Sequence, residues 1–306
     1  MPIADWKGKP VKGKPVKGNP VKGNPVNSVG GFLHHIEACH SARLPGDRLP
    51  FRIDGATVGW LGPPMVRALA AFPGVELGAD AVTLGEAAAL PAIAADLARA
   101  GLFRWRGEAF DVRGDLDGPA LAQIDRGALP SFGIAAEGAH LNGLVRRDDG
   151  LHLWVAYRAA DKALDPGKLD HVTAGGVPAG MTPFETLVKE AGEEAAIPQE
   201  LARRAVPVAR IAYAMDRPEG LRRDRIHCFD LDLPEGFVPR AADGEVEKFE
   251  LWPLARVLET VRDTDRFKFN VNLVLIDLFL RNGLIGENWA ASLRRGLDAG
   301  EGRADA

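Results

Sequence analysis

GGVPAGMTPFETLVKEAGEEAAIP, residues Gly175 to Pro198, is the stretch from which the rest of the chain can be read. Thr182 stands where an N-cap belongs, Pro183 follows at the first helical position where its missing N–H costs nothing, and Glu185 completes a capping box. A helix therefore starts at Pro183. At about 100° per residue, Phe184, Val188, Ala191 and Ala195 share one apolar arc, and Glu190, Glu193 and Glu194 share the opposite one. Glu190 is a like-charge neighbour of both Glu193 and Glu194, at a cost of about 0.2–0.5 kcal/mol for each pair on an isolated helix. A cation is expected to offset them. Three carboxylates beside a double glycine are hard oxygen ligands suited to Mg²⁺ or Mn²⁺, and Mg²⁺ commonly shares its coordination with substrate phosphates. The chemistry that follows is metal-assisted cleavage of a diphosphate.

These residues resemble the Nudix box: a glycine, five residues, Glu, seven residues, Arg-Glu, an aliphatic, any residue, Glu-Glu, any residue, Gly and an aliphatic. Gly175, Glu190, Glu193, Glu194 and Ile197 match it, whereas Met181, Lys189 and Ala196 replace Glu, Arg and Gly. In the family the lost Glu and Arg are generally ion-paired, so losing both together is less damaging than losing one. At Ala196 two outcomes are open: a left-handed residue carrying a strained Cβ, or a helix that runs on toward Pro198.

The 306 residues suggest about two domains, and 46% hydrophobic with 26% charged residues suffices for a sizeable core. A net charge of −4 argues against general nucleic-acid affinity. Cys39 and Cys228 lie far apart, fit no metal or disulfide spacing, and agree with a reducing cytoplasm, the location expected. Residues Lys7 to Val26 repeat KGKPV and KGNPV without hydrophobic periodicity, so residues 1–29 are expected to form a disordered tail. That segment lacks the apolar core of a signal peptide. The run Val271 to Leu280 is too short to span a bilayer and contains Asn272 and Asp277, so no membrane partner is expected.

Residues 30–130 read as a small α+β accessory unit. Helices are expected over Phe32–Ala42, Pro64–Phe72 and Gly85–Ala100, with one hairpin around Asp54-Gly55 and another joining Leu102–Trp105 to Ala109–Val112. His34, His35 and His40 invite a metal reading, because His35 and Cys39 are one helical turn apart, but no fourth ligand presents itself in the sequence. The phrase FLHHIEACHSARLPGDRLPFRIDGATVGWL resembles the domain that precedes the Nudix domain in one branch of the family. That branch also occurs fused to thiamine pyrophosphokinase in fungi and alone in plants. AHLNGLV, LDHVTAGG, DGEVEKFEL and KFNVNLVLIDLFLRNGLI extend the likeness over most of residues 31–285.

Residues 131–286 are expected to form the Nudix part, and 287–306 a C-terminal tail. Strands are read at His140–Val145 and His152–Tyr157 around Asp148-Asp149-Gly150, then at Leu169–Ala174, Val206–Tyr213, Asp224–Leu231 and Phe249–Pro253. Helices are read at Leu254–Thr260 and Asn270–Asn282. The resemblance implies an α+β fold, an α/β/α sandwich around a mixed sheet, and the order of elements agrees with it.

Gly175 and Gly176 offer backbone without side chains to phosphate oxygens, and Arg158 and Lys162 are positioned after a strand to meet phosphates. In the family an acidic loop residue often supplies a metal contact or the base, which points to Glu247, or to Glu245, beside Glu190 and Glu193. Trp154, Tyr213 and Trp252 read as core. The resemblance implies a small-molecule substrate of the thiamine diphosphate class, oxidised or damaged analogues included, cleaved to the monophosphate. Another Nudix diphosphate and a non-catalytic binding module are the alternatives. The accessory unit is left either to shape the pocket or to mediate a homodimer.

Overall fold

A computed structural model of the chain describes residues 29–161, 164–242, 244–300 and 303–304. The tail repeat and Lys162 lie outside these residues. The chain enters through helix α1 (Gly30–Cys39) and strand β1 (Arg43–Leu44). A hairpin of β2 (Leu49–Ile53) and β3 (Ala56–Leu61) follows, and Asp54 and Gly55 both take positive φ at its tip, 50° and 77°, as an Asp-Gly turn allows. Next come α2 (Pro63–Leu69), β4 (Val75–Leu77), β5 (Val82–Leu84), α3 (Leu90–Arg99), β6 (Ala109–Val112), β7 (Ala122–Asp125) and the short α4 (Leu129–Phe132). A four-stranded sheet runs β3-β2-β5-β4, and β6 pairs with β7 alone.

That last pairing corrects the second expected hairpin. Leu102–Trp105 is not a strand. The Asp125 carboxylate accepts from the backbone N–H groups of Arg106, Gly107, Glu108 and Gly127 at 2.7–3.2 Å, which draws residues 106–108 into a loop wrapped around its side chain.

The second unit comprises β8 (Ala135–Arg147), β9 (Gly150–Arg158), β10 (Leu169–Asp170), β11 (Thr173–Gly176), α5 (Pro183–Ala195), α6 (Gln199–Ala202), β12 (Val206–Arg217), β13 (Gly220–Asp232) and β14 (Val246–Pro253). It ends in α7 (Leu254–Asp263), α8 (Val271–Arg281), α9 (Glu287–Leu297) and β15 (Arg303–Ala304). Its mixed sheet runs β10-β9-β8-β13-β12, with β11 added to β8 and β14 to β9; β8 and β13 are parallel. Strand β8 changes partner along its length, pairing with β11 over Gly138–Leu141 and with β9 over Leu144–Arg147. The sheet is thereby parted beside β11, under helix α5.

Alternation along the strands fills both faces. Leu141, Phe229 and Leu231 pack with Leu187, Val188 and Ala191 of α5, whereas Leu144, Ile226 and Cys228 face α7 and α8. Three layers result, with Trp154, Tyr213 and Trp252 buried in the core as the sequence suggested. Helix α8 is buried throughout from Val271 to Phe279 and is apolar there except at Asn272 and Asp277. Its Asp277 is tolerated there because Arg281 Nε and Arg294 Nη1 both donate to it at 2.7 Å. Arg281 in turn grips Asp230 of β13 at 2.7 and 3.1 Å, and Asp230 accepts from Asn142 of β8 at 2.8 Å. None of the helices is long and apolar enough to cross a membrane among the described residues.

Two segments join the core differently from the sequence reading. Phe32, Ile36 and Cys39 of α1 pack with α7 and α8, not with Phe51, Ile53, Leu84 and Ile93 of the accessory cluster. Residues from 287, expected as a tail, form α9, whose Leu293 and Leu297 are buried in that same core.

Candidate active site

Helix α5 opens with the capping box in full: Glu185 N–H donates to Thr182 Oγ1 at 3.2 Å and Thr182 N–H to Glu185 Oε2 at 2.9 Å. It closes on Ala196 in the left-handed conformation (φ 53°, ψ 33°), with Ile197 N–H donating back to Ala191 O at 3.0 Å. Of the two outcomes open at Ala196, the strained one is realised.

The double glycine is closely packed on both sides. A Cβ on Gly175 would sit 2.6 Å from Glu190 Cγ, and a Cβ on Gly176 would sit 2.7 Å from Phe110 Cζ in β6. Successive residues of β11 thus receive a helix glutamate on one side and an accessory-unit aromatic on the other. The contact with the accessory unit continues past the strand, where Ala179 N–H donates to Ala109 O at 2.8 Å and Gly180 N–H to Asp111 Oδ2 at 3.3 Å.

The three glutamates differ in depth. Glu194 is buried, and its Oε2 accepts from Thr173 Oγ1 and, at 3.0 Å, from Ala174 N–H. Burial pushes its carboxyl up to about 8 although those two donors pull the other way. Glu190 is also raised, by burial first, with Lys189 opposing. Glu193 is the outermost. Lys189 Nζ donates to it at 2.6 Å and to Glu190 at 3.3 Å, so the residue standing where the family has Arg partly offsets the like charges.

Glu194 also borders a cleft with Arg158, Asp170, His171, Ala174 and Glu245. Arg158 was expected to meet phosphates, yet three of its five N–H groups are already engaged: Nη1 to Asp170 at 2.7 Å, Nε to Asp165 O at 3.1 Å and Nη2 to Leu164 O at 2.8 Å. Its principal work is to brace the 164–170 segment. Glu245 lines the cleft; Glu247 is exposed at the register shift between Val246 and Lys248, outside that lining.

Sequence reasoning missed the polar group behind this cleft. His140 Nδ1 and His171 Nδ1 lie 3.0 Å apart, so one of them carries the shared proton, and burial pushes both rings down, His171 to about 4. Burial opposes ionisation of the adjacent Asp170, but Lys268, whose Nζ lies 3.7 Å away, and Arg158 outweigh it and hold the carboxyl well below the usual range. Two cations, Lys268 and Arg158, balance the charge of Asp170 in this buried trio, and His171 Nε2 has no hydrogen-bond partner among the described residues. Only the phrases AHLNG and LDHV, each placing a histidine in an apolar strand, signalled it.

Glu190 and Glu194 fit a hard divalent ion. Both are pushed toward the neutral form by burial, and a cation reverses that. Glu193 is engaged through Oε2 by Lys189.

Residues 31–136 match the family described as Domain of unknown function (DUF4743). The chain is 42% identical over 180 residues to Nudix hydrolase 20, chloroplastic, of Arabidopsis thaliana, covering 59% of this chain and 48% of that protein. It is 36% identical over 269 residues to Nudix hydrolase 24, chloroplastic, of the same plant, covering 83% of this chain and 73% of the relative. The chain thus spans about half the length of the first of these relatives and about three quarters of the second. The crystal structure of DR0079 from Deinococcus radiodurans aligns with a TM-score of 0.41 at 19% identity, over 55% of this chain and 97% of that one. The chloroplastic names of both plant relatives overturn the expectation of a cytoplasmic location. The length and identity of the second plant match, together with the box on α5, place the chain in the Nudix hydrolase family.

Proposed function

We propose that the chain hydrolyses an organic diphosphate to its monophosphate and phosphate, with Mg²⁺ or Mn²⁺ held by Glu190, Glu193 and Glu194. The observation that carries this reading is the convergence of Glu190 and Glu194 on β11, beside a cleft that Arg158 and Glu245 also line. A divalent ion there supplies positive charge opposite the diphosphate and raises the acidity of the attacking water. Gly175 leaves room for Glu190 to lie against the strand, and Thr173 and Ala174 fix the Glu194 carboxylate by two hydrogen bonds. Glu245 takes the proton of the water as its oxygen bonds to phosphorus and the anhydride P–O bond breaks; Glu247, outside the cleft lining, is the weaker candidate. Arg158 keeps two N–H groups for a phosphate oxygen while it braces the loop.

Family membership supports a nucleoside diphosphate-linked or similar small molecule as the substrate class. Our narrower reading is the thiamine diphosphate class, with oxidised analogues, supported by the likeness of residues 31–285 to that branch. The test is a panel of thiamine diphosphate, its oxidised forms, ADP-ribose and dinucleotides, incubated with and without Mg²⁺, with phosphate products identified. Mg²⁺-dependent release of thiamine monophosphate supports the reading. Turnover of another diphosphate alone removes the substrate class, and no Mg²⁺-dependent turnover anywhere removes the hydrolase.

A further inference from the structure

Helix α1 carries His34 and His35, and the chain brings Asp265 to them from the turn after α7. The three donor atoms lie within 4.8 Å of one another. His34 Nε2 is 3.5 Å from Asp265 Oδ1, and His35 Nδ1 is 3.8 Å from the same oxygen. Hydrogen bonds of this kind close to about 2.7–3.2 Å, so neither is one. Two ligands each about 2.0–2.1 Å from a tetrahedral ion stand about 3.4 Å apart, which is close to the spacing found.

The tautomer of His35 points the same way. Its Nε2 lies 2.7 Å from Val261 O. A carbonyl can only accept, so Nε2 bears the hydrogen and, in the neutral ring, Nδ1 presents a bare lone pair toward Asp265. An imidazole whose far nitrogen is tied to a backbone carbonyl is the usual arrangement of a metal-ligating histidine. Two other nearby candidates stand outside the group: His40 is buried with Nδ1 bonded to Ile36 O at 2.8 Å, and the buried Cys39 thiol donates to Phe269 O at 3.7 Å.

We infer that His34, His35 and Asp265 form a surface site for a Zn²⁺-class ion, separate from the glutamates of α5, which ties α1 to the end of α7. Imidazole and carboxylate donors suit Zn²⁺ over Mg²⁺, and the exposure of His34 and Asp265, 63% and 72%, leaves the remaining coordination to water.

The experiment uses the full chain, stripped with EDTA and then titrated with Zn²⁺ against a chelating dye, with Mg²⁺ in large excess to occupy the α5 glutamates. One equivalent of Zn²⁺ is expected, bound equally by wild type and by Glu194→Gln. His34→Ala and Asp265→Ala should each weaken it by about tenfold or more. Both side chains are exposed, so the metal-free variants should retain the wild-type melting temperature, and added Zn²⁺ should raise it only in the wild type. Binding unchanged in both variants, or lost in Glu194→Gln, or absent at micromolar Zn²⁺, overturns the site. Diphosphate hydrolysis plays no part in these readouts.

Discussion

Glu190 Cγ occupies the place that a Cβ on Gly175 would need, 2.6 Å away, so strand β11 and helix α5 approach as closely as they do only because residue 175 has no side chain. Gly175→Ala is expected to displace the Glu190 carboxylate. Because the clash is with a side chain and not with backbone, stability should fall by no more than about 1–3 kcal/mol. Turnover should fall about a hundredfold. Steady-state kinetics beside a denaturant titration separates the two, and full activity in the variant would contradict the placement of Glu190 in the site.

Glu194→Gln keeps an acceptor for Thr173 and Ala174 and removes the capacity to ionise. The fold should survive. Loss of a residue that supports a metal site from outside costs roughly 10–100-fold, so loss of a direct ligand should exceed that, and added Mg²⁺ should fail to restore turnover. Circular dichroism with Mg²⁺-dependence assays checks it.

How much of this was legible in the sequence differs between local and long-range features. The capping box, the three glutamates and the hairpins at Asp54-Gly55 and Gly150 are set by residues close together in the chain, and they were readable. The reach of Phe110 to Gly176, the spending of Arg158 on Asp170 and the core placement of α1 and α9 depend on contacts between residues from a dozen to more than two hundred positions apart, which periodicity does not encode. Asp265 is likewise invisible from His35, although it completes the trio the histidines began. Glu245 and Glu247 are alike to strand alternation, and the register shift after Val246 separates them.

Ala196 holds φ 53° with a Cβ, a conformation that costs an L-residue about 1–2 kcal/mol. Ala196→Gly should therefore stabilise the protein by about 1 kcal/mol, raising the melting temperature by roughly 2–4 °C. Calorimetry measures this, and a lowered melting temperature would contradict the argument.

Glu250 accepts from Lys248 Nζ at 2.6 Å, and from Trp252 Nε1 and Tyr157 Oη at 2.9 Å each. These donors, Lys248 foremost, bring its carboxyl down to about 2. A depressed carboxyl contributes stability above its unfolded value, about 4.3, and the contribution is lost as pH falls from there toward 2. The stability gap between wild type and Glu250→Gln should narrow over that window, and NMR titration should place the Glu250 midpoint near 2.

Asp277 is buried between Arg281 and Arg294. Asp277→Asn leaves those guanidinium groups without their carboxylate. Both arginines are partly solvated and Arg281 retains Asp230, so the loss should fall near the lower end of the buried-pair range, about 3 kcal/mol. Urea denaturation tests it.

Because α1 and α9 press on the same helices, the accessory unit is topologically an insertion, bounded on each side by segments of one shared interior. Synthesis from the N-terminus therefore produces α1 long before the partners that cover it, and Phe32 and Ile36 must wait exposed while some two hundred residues emerge. The accessory unit can close on itself during that interval, so it is expected to be the first part of the molecule to become protease-resistant on the ribosome.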